Sequence, residues 1–218
     1  MKLSMNFRTN MTETKSKLFY DTHAKIYEMM MQTIRYHSTV QKLLLSLISS
    51  NEISHAPHIL DLGCGTGLLS EMLLQRYPSA SLTGFDFSKE MLKIYKERFP
   101  KATVIVGDYH NEKTFTQESS FFDLIITSGS LSEYSDLSKT LPWIYRILKP
   151  KGIFINIGVH RNMIGLMSSH IWHYIQVPGE RRFMDECKKF SFQKVEALPV
   201  PWSLFPLNLC RYAVKVTK

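Results

Sequence analysis

Cysteine is scarce in this 218-residue chain: Cys64, Cys187 and Cys210 stand far apart, with no CxxC pair. That count and spacing exclude a disulfide framework and argue against a zinc ribbon or finger. The eight histidines include His55 with His58 and His170 with His173, but there is no HExxH and no accompanying acidic cluster, so no metal site is expected. Long apolar runs are missing too. None approaches the roughly 18 residues of a membrane-spanning helix, and the opening MKLSMNFRTNMTETKSK lacks the apolar core of a signal peptide. A cytoplasmic protein is the expectation, with peripheral association at the inner membrane surface as its variant. Acidic residues are short in one region only. Residues 1–138 carry 14 Lys and Arg against 15 Asp and Glu, whereas residues 139–218 carry 13 against 4, so the last third holds the basic excess behind the net charge of +8. Either that surface is simply solvated, or it attracts an anion such as a phospholipid headgroup or a nucleic acid.

Glycine is modest in number, 10 residues, yet three fall within five positions in HILDLGCGTGLLS, residues 58–70. The apolar residues 59–62 fit a buried strand, and residues 68–74 have the length and composition of a helix. Gly63, Gly65 and Gly67 therefore lie on a strand-to-helix turn. Glycine there adopts positive φ freely and lets a ligand approach the main chain beside the donor-rich helix N-terminus. The spacing is G-x-G-x-G, with Leu68 where a dinucleotide fingerprint needs its third glycine, so a nicotinamide dinucleotide is disfavoured.

Strands and helices then alternate. Residues 81–86, 102–107, 122–127 and 152–158 read as strands. Ser88 can cap a helix running to about residue 99, and Asp136 can cap one over 137–148 that contains Pro142. Pro150, Lys151 and Gly152 read as a turn. Ahead of the first strand, apolar residues between 22 and 50 recur at helical spacing. Behind the fifth, residues 162–177 look helical and aromatic, 181–189 form a short basic helix, and strands over 192–197 and 209–216 suggest an antiparallel hairpin at the sheet edge. The expectation is one α/β domain over 1–218: a helical cap at 1–56, a doubly wound core at 57–158, and substrate-side helices with the edge hairpin at 159–218.

In open parallel sheets ligands bind beyond the carboxyl ends of the strands. The predicted strands end at the glycine turn, at Asp86, at Asp108 and at Thr127-Ser128-Gly129-Ser130. Asp86 lies about 20 residues past the turn, where a carboxylate can bond ribose hydroxyls. Singly, each aspartate is explained as a helix cap or loop residue; together they describe a nucleoside site.

The segments LDLGCGTG (60–67), GFDFS (84–88), GD (107–108), FDLIITSGSL (122–131) and ILKPKGIFI (147–155) resemble the class I S-adenosylmethionine-dependent methyltransferases in order and spacing. The resemblance implies a Rossmann-like sheet of seven strands, mostly parallel, with an antiparallel last strand, and S-adenosylmethionine as cofactor. It implies that Gly63, Gly65 and Gly67 form the turn against the methionine moiety, with Asp61 orienting its amino group. It further implies Asp86 on the ribose, Phe87 against the adenine, Asp108 on the adenine amino group with Tyr109 beside it, and Ser128 near the reacting methyl. LFYDTHAKIYE, residues 18–28, is similar to a segment preceding the core in small-molecule members, which places Tyr20 and Tyr27 over the cofactor and acceptor pocket. Methyl transfer from a sulfonium needs placement and water exclusion, and a base only if the acceptor arrives protonated. Glu133 and His160 are the candidate bases, a solvated loop carboxylate being the alternative for Glu133.

After the fourth strand the chain reads TSGS rather than the [DN]-P-P-[FY] of base amino methylation, and neither a P-C segment nor a paired-glutamate loop occurs. Nucleic acid and arginine acceptors are thereby disfavoured, leaving a small molecule or lipid. The tail ALPVPWSLFPLNLCRY resembles that of bacterial phosphatidylethanolamine N-methyltransferases, which implies a headgroup amine as acceptor. The aromatic helix either forms a substrate lid packed on the core or, with Arg181, Arg182, Lys188 and Lys189, suits an anionic membrane. Two rivals remain open: a binding module without methyl transfer, and an RNA methyltransferase. Oligomeric state is not legible.

Overall fold

The computed structural model describes residues 18–26, 29, 36–49, 52–109, 119–171 and 174–218. Tyr27 and His173, singled out above, and Trp172 of the expected aromatic helix lie outside the described residues.

Seven strands form one sheet: β1 (His58–Leu62), β2 (Ser81–Asp86), β3 (Thr103–Val106), β4 (Phe122–Ser128), β5 (Leu148–Val159), β6 (Lys194–Leu198) and β7 (Arg211–Thr217). Their order is β3-β2-β1-β4-β5-β7-β6. The first five are parallel neighbours, and β7 is antiparallel to both β5 and β6. The expected antiparallel last strand and edge hairpin are therefore present. The chain winds outward from β1 to β3 and returns to β4 on the other side of β1, so the strand order reverses between β1 and β4. That is where an open α/β sheet presents its crevice.

Alternation along the strands loads both faces. Ile59, Leu124 and Ile126 join Val40, Leu43 and Leu44 of α2 (Tyr36–Leu47) and Leu73 of α3 (Leu68–Arg76) on one side. Leu60, Ile125 and Phe154 join Leu141 and Ile144 of α6 (Leu137–Ile147) and Phe183 of α8 (Gly179–Lys188) on the other. A sheet covered on both faces needs apolar residues at successive positions, which is why β1 and β4 read as short continuous apolar runs. Helical residues 18–26 (α1) lie before α2.

The cap assignments hold. Ser88 Oγ accepts the Met91 N–H (3.2 Å) at the start of α4 (Lys89–Arg98), and Asp136 Oδ1 accepts the Ser138 N–H (3.1 Å) at the start of α6, which accommodates Pro142 in its interior. Three expectations are corrected and one unforeseen helix is added. β5 starts at Leu148 instead of after a turn, because Lys151 takes a left-handed φ of 63° and the extra residues loop out within the strand between the Phe122–Leu148 and Leu124–Ile153 pairs. The helix expected over 162–177 is α7 (Met163–Ile171) and does not continue through 174–177. A four-residue helix, α5 (Leu131–Tyr134), follows β4 directly, unforeseen because so short a helix has no periodicity to read. Leu209, expected in the last strand, sits in α9 (Leu207–Cys210), which follows a 3-10 turn over Trp202–Leu204.

Candidate active site

The glycine turn carries three consecutive left-handed glycines at alternate positions, Gly63 (φ 68°), Gly65 (φ 51°) and Gly67 (φ 94°). Each is glycine for a different reason. A Cβ at Gly67 would run into the Phe99 ring, so that glycine lets α3 close against α4 and lies among core side chains. A Cβ at Gly63 would collide with Ser130 and the Tyr109 hydroxyl, which share a short hydrogen bond across the mouth of the turn. At Gly65 a Cβ would meet nothing within 4 Å. This open, positive-φ position is where a ligand can approach the main chain.

Asp86 ends β2 directly beside that turn. One carboxylate oxygen accepts the Gly65 N–H (2.9 Å) and the other the Ser88 N–H (2.9 Å), while the Asp86 carbonyl accepts from Gly107 N (3.0 Å). Burial pushes its carboxyl up to about 6, opposed by the backbone hydrogen bonds from Ser88, Gly65 and Phe87. Asp61 is buried at β1, where it accepts from Ser70 Oγ (2.7 Å), and the Tyr95 hydroxyl lies 2.8 Å beyond. Burial pushes Asp61 to about 7, and the Asp86 charge adds to the effect. Two carboxylates raised by desolvation at adjacent strand ends suit a ligand bringing positive charge and hydroxyl donors. The residues present thus fit an aminoacyl nucleoside. Asp108 follows β3 half-buried, and Tyr109 is buried with its ring 5.3 Å from Phe85.

Phe87 connects this region to a second one. Its ring lies 5.9 Å from both Tyr20 and Tyr134, the hydroxyls of those tyrosines are 3.4 Å apart, and Tyr134 packs edge-on against Tyr174 at 5.5 Å. Burial, with Tyr134 next, holds the Tyr20 hydroxyl well above its ordinary value, so it stays protonated. Tyr174 accepts from Arg211 Nη2 (3.2 Å), and both side chains stand against Gly129, where a Cβ would meet Arg211 at 2.7 Å and Tyr174 at 2.8 Å. Ser128, the last residue of β4, is half-buried beside them in sequence.

Glu133 is fully buried, which overturns the solvated-loop alternative. Its Oε1 accepts from Ser132 Oγ (2.8 Å) and from the Val159 N–H (3.0 Å), whereas Oε2 has no hydrogen-bond partner. Burial raises its carboxyl above the usual range, partly offset by Arg211. His160 follows β5, half-buried, with its ring 5.7 Å from Tyr212.

The sequence reading missed Ser130, Tyr134, Tyr174 and Arg211. Ser130 stood in the quoted TSGS, and Arg211 in the Arg-aromatic pair of the tail, but Tyr134 and Tyr174 carry no motif.

Known proteins match this arrangement. Residues 59–152 match the family model described as a methyltransferase domain. The malonyl-[acyl-carrier protein] O-methyltransferase of Priestia megaterium is 30% identical over 139 residues, 61% of this chain and 47% of that protein. The demethylmenaquinone methyltransferase of Leptospira interrogans is 35% identical over 128 residues, 56% of this chain and 51% of that protein. The chain spans about half the length of the curated relatives it matches. A solved SAM-dependent methyltransferase from Archaeoglobus fulgidus shares the fold, with a TM-score of 0.69 at 16% identity, over 88% of this chain and 99% of that one. The glycine turn at the switch point, the strand-end aspartates and the strand order with its antiparallel β7 agree with the match of residues 59–152 to a methyltransferase domain.

Proposed function

We propose that this protein transfers a methyl group from S-adenosylmethionine to a small-molecule or lipid acceptor. The observation that carries the reading is the pairing of Gly65, open on its Cβ side, with the buried Asp86 carboxylate at the point where strand order reverses. When bound, S-adenosylmethionine supplies an electrophilic methyl on a sulfonium. Gly63 and Gly65 then present main chain to the methionine moiety, Asp61 attracts its ammonium, and Asp86 accepts from the ribose hydroxyls. Phe87 and Asp108 face the adenine in this reading. The Tyr20–Tyr134–Tyr174 rings exclude water, and Ser128, Gly129 and Arg211 border the acceptor.

Glu133 is poorly placed to act as a free base, because it is fully buried with Oε1 committed to Val159 and Ser132, which leaves Oε2 alone without a partner. His160 is the better candidate for receiving a proton. The relatives' names give an acyl-carrier-bound malonyl group and a menaquinone precursor as acceptors, which supports a non-nucleic-acid acceptor here. Within lipids, the tail's likeness to phosphatidylethanolamine enzymes supports a headgroup amine.

Calorimetry with S-adenosylhomocysteine is the direct test, and folded protein that fails to bind it refutes the proposal. Incubation of the protein with methyl-labelled S-adenosylmethionine and a cell extract, followed by lipid–aqueous partition, identifies the acceptor class. Cofactor binding without any labelled product would favour the binding-module alternative.

A further inference from the structure

We propose that the face formed by α7, α9 and the 3-10 turn at Trp202–Leu204 docks the protein on an anionic bilayer. Soluble surfaces scatter their apolar residues singly, whereas here they gather. Met163 (77% exposed), Met167 (62%) and Ile171 (60%) follow one another at four-residue spacing along α7, so they project from one side of it. α7 packs on α9, to which it is tied by Asn162 Nδ2 donating to the Leu209 carbonyl (2.7 Å), and α9 packs on the 3-10 turn, where Trp202 (78%) and Phe205 (65%) are bared. Exposed apolar side chains concentrated on neighbouring elements mark an interaction surface.

The charge around this face selects its occupant. Arg161 stands two residues before α7, and its Cβ lies 3.1 Å from where a Cβ on Gly179 would sit at the start of α8, whose first turn carries exposed Arg181 and Arg182. Against these three cations stands Glu180. Lys188 and Lys189 sit at the far end of α8, about 14 Å along its axis, and Lys189 pairs with Glu186 (2.7 Å). The sequence reading grouped all four basic residues of this helix; Arg181 and Arg182 are the two on its first turn, which starts beside Arg161. Trp, Phe, Met and Ile at the tips of short elements, with arginines at the starts of α7 and α8, is the chemistry that seats in the headgroup–acyl boundary. No helix among the described residues is long and apolar enough to cross a membrane, so such contact would be peripheral.

The face also borders the acceptor side of the site. The chain leaves α7 toward Tyr174, whose N–H bonds the Ser169 carbonyl (3.0 Å) and whose ring meets Tyr134. A bilayer held there would deliver an acceptor along the α7 side of the pocket. The docking itself does not depend on methyl transfer.

The test is sedimentation of the full chain with vesicles of phosphatidylcholine alone and of phosphatidylcholine mixed with phosphatidylglycerol. Binding is expected only to the anionic vesicles and should weaken with added salt. The paired substitutions Met167→Ser with Ile171→Ser, and Trp202→Ala with Phe205→Ala, change exposed side chains and should leave the melting temperature and S-adenosylhomocysteine binding intact. Each pair should lower the bound fraction by about fivefold, as expected when several inserted apolar groups are lost. Arg181→Ala with Arg182→Ala should instead shift binding to lower salt. Protein that stays in solution with every vesicle overturns the proposal, and so does vesicle binding that survives both apolar pairs. Retention on an acidic carrier protein, lost with the same substitutions while vesicles fail, would give this face to a protein partner and likewise overturn it.

Discussion

The two halves of the candidate site are built by different means. On the β1–β3 side, side chains are held by the backbone: Asp86 grips Gly65 and Ser88, and Asp61 holds Ser70 at the first turn of α3. Across the crevice, side chains hold one another: Phe87 at the end of β2 meets Tyr20, Tyr134, Tyr174 and Arg211 in a chain of ring and hydroxyl contacts drawn from α1, α5, β7 and the segment after α7. A site fixed to main chain tolerates little variation in residue type or spacing, whereas one assembled from side chains can be rebuilt for another acceptor. In the proposed reading the first half therefore suits a fixed cofactor cradle and the second a pocket that can be rebuilt around an acceptor.

The largest expected effect breaks the first half alone. Asp86→Ala removes the acceptor for ribose hydroxyls and strands the Gly65 and Ser88 N–H groups, at about 1–3 kcal/mol for hydrogen bonds to a charged group. Affinity for S-adenosylhomocysteine should drop between roughly 10- and 100-fold by calorimetry. An unchanged affinity would place the nucleoside elsewhere.

Glu133 probes the second half. Glu133→Ala leaves the buried Val159 N–H without its partner and removes a charge that interacts with Arg211, so unfolding free energy should fall by about 1–3 kcal/mol. Glu133→Gln keeps an acceptor for Val159 and should recover much of that loss. Neither change should alter S-adenosylhomocysteine affinity beyond about twofold, because Glu133 lies outside the Asp86 network. A large loss of cofactor affinity in both would mean that the halves are one cooperative unit.

Legibility followed the same division. The glycine turn, Asp86, Ser88 as a cap and the order of strands could be read because each rests on local chemistry: a φ that glycine permits, an oxygen facing a helix N-terminus, a run of apolar residues covered on both faces. Glu133 could be named as a candidate base yet not placed, since nothing in LSEYSD distinguishes a solvated carboxylate from one buried against Val159 26 residues later. Tyr134 carries no signal and Tyr174 reads only as part of an aromatic helix for a similar reason, their meeting depending on how the segment after α7 folds back. There Gln176 Nε2 donates to the Ser132 and Ser135 carbonyls (3.3 and 2.5 Å), a contact no periodicity announces.

Titration sharpens the contrast through its sign. Asp86 and Asp61 are raised to about 6 and about 7, against roughly 4 for an unfolded aspartate. Between pH 4 and 7 the native state thus holds protons that the unfolded chain has released, and this pair's contribution to ligand-free stability declines as pH rises. Cofactor binding should run the opposite way, because an ammonium and hydroxyl donors favour the ionised carboxylates. Affinity for S-adenosylhomocysteine should climb by about tenfold from pH 5.5 to 7.5, with proton release visible as a dependence of the calorimetric heat on buffer ionisation. Asp86→Asn should flatten both trends. Identical pH profiles for Asp86→Asn and the native protein would show that Asp86 does not titrate in this range.

The smallest expected effect concerns the joint between the two halves. Ser88 Oγ accepts from Met91 N at the start of α4 and donates to Asp21 Oδ1 (2.6 Å) in α1, so one hydroxyl both caps a core helix and fastens the α1 segment that carries Tyr20. Ser88→Ala loses the cap, worth about 1 kcal/mol of stability, and frees Asp21. Because Asp86 keeps its bonds to Gly65 and to the residue-88 N–H, the cradle itself should stay formed. The expected signature is a melting temperature lower by a few degrees, with S-adenosylhomocysteine affinity reduced by no more than about threefold through looser Tyr20–Phe87 packing, an edge-on ring contact worth about 0.5–1.5 kcal/mol when fully made. Ser88→Thr preserves both hydrogen-bonding roles and should restore the native values. If Ser88→Ala instead weakened the cofactor as much as Asp86→Ala, α1 would have to be counted as part of the cradle.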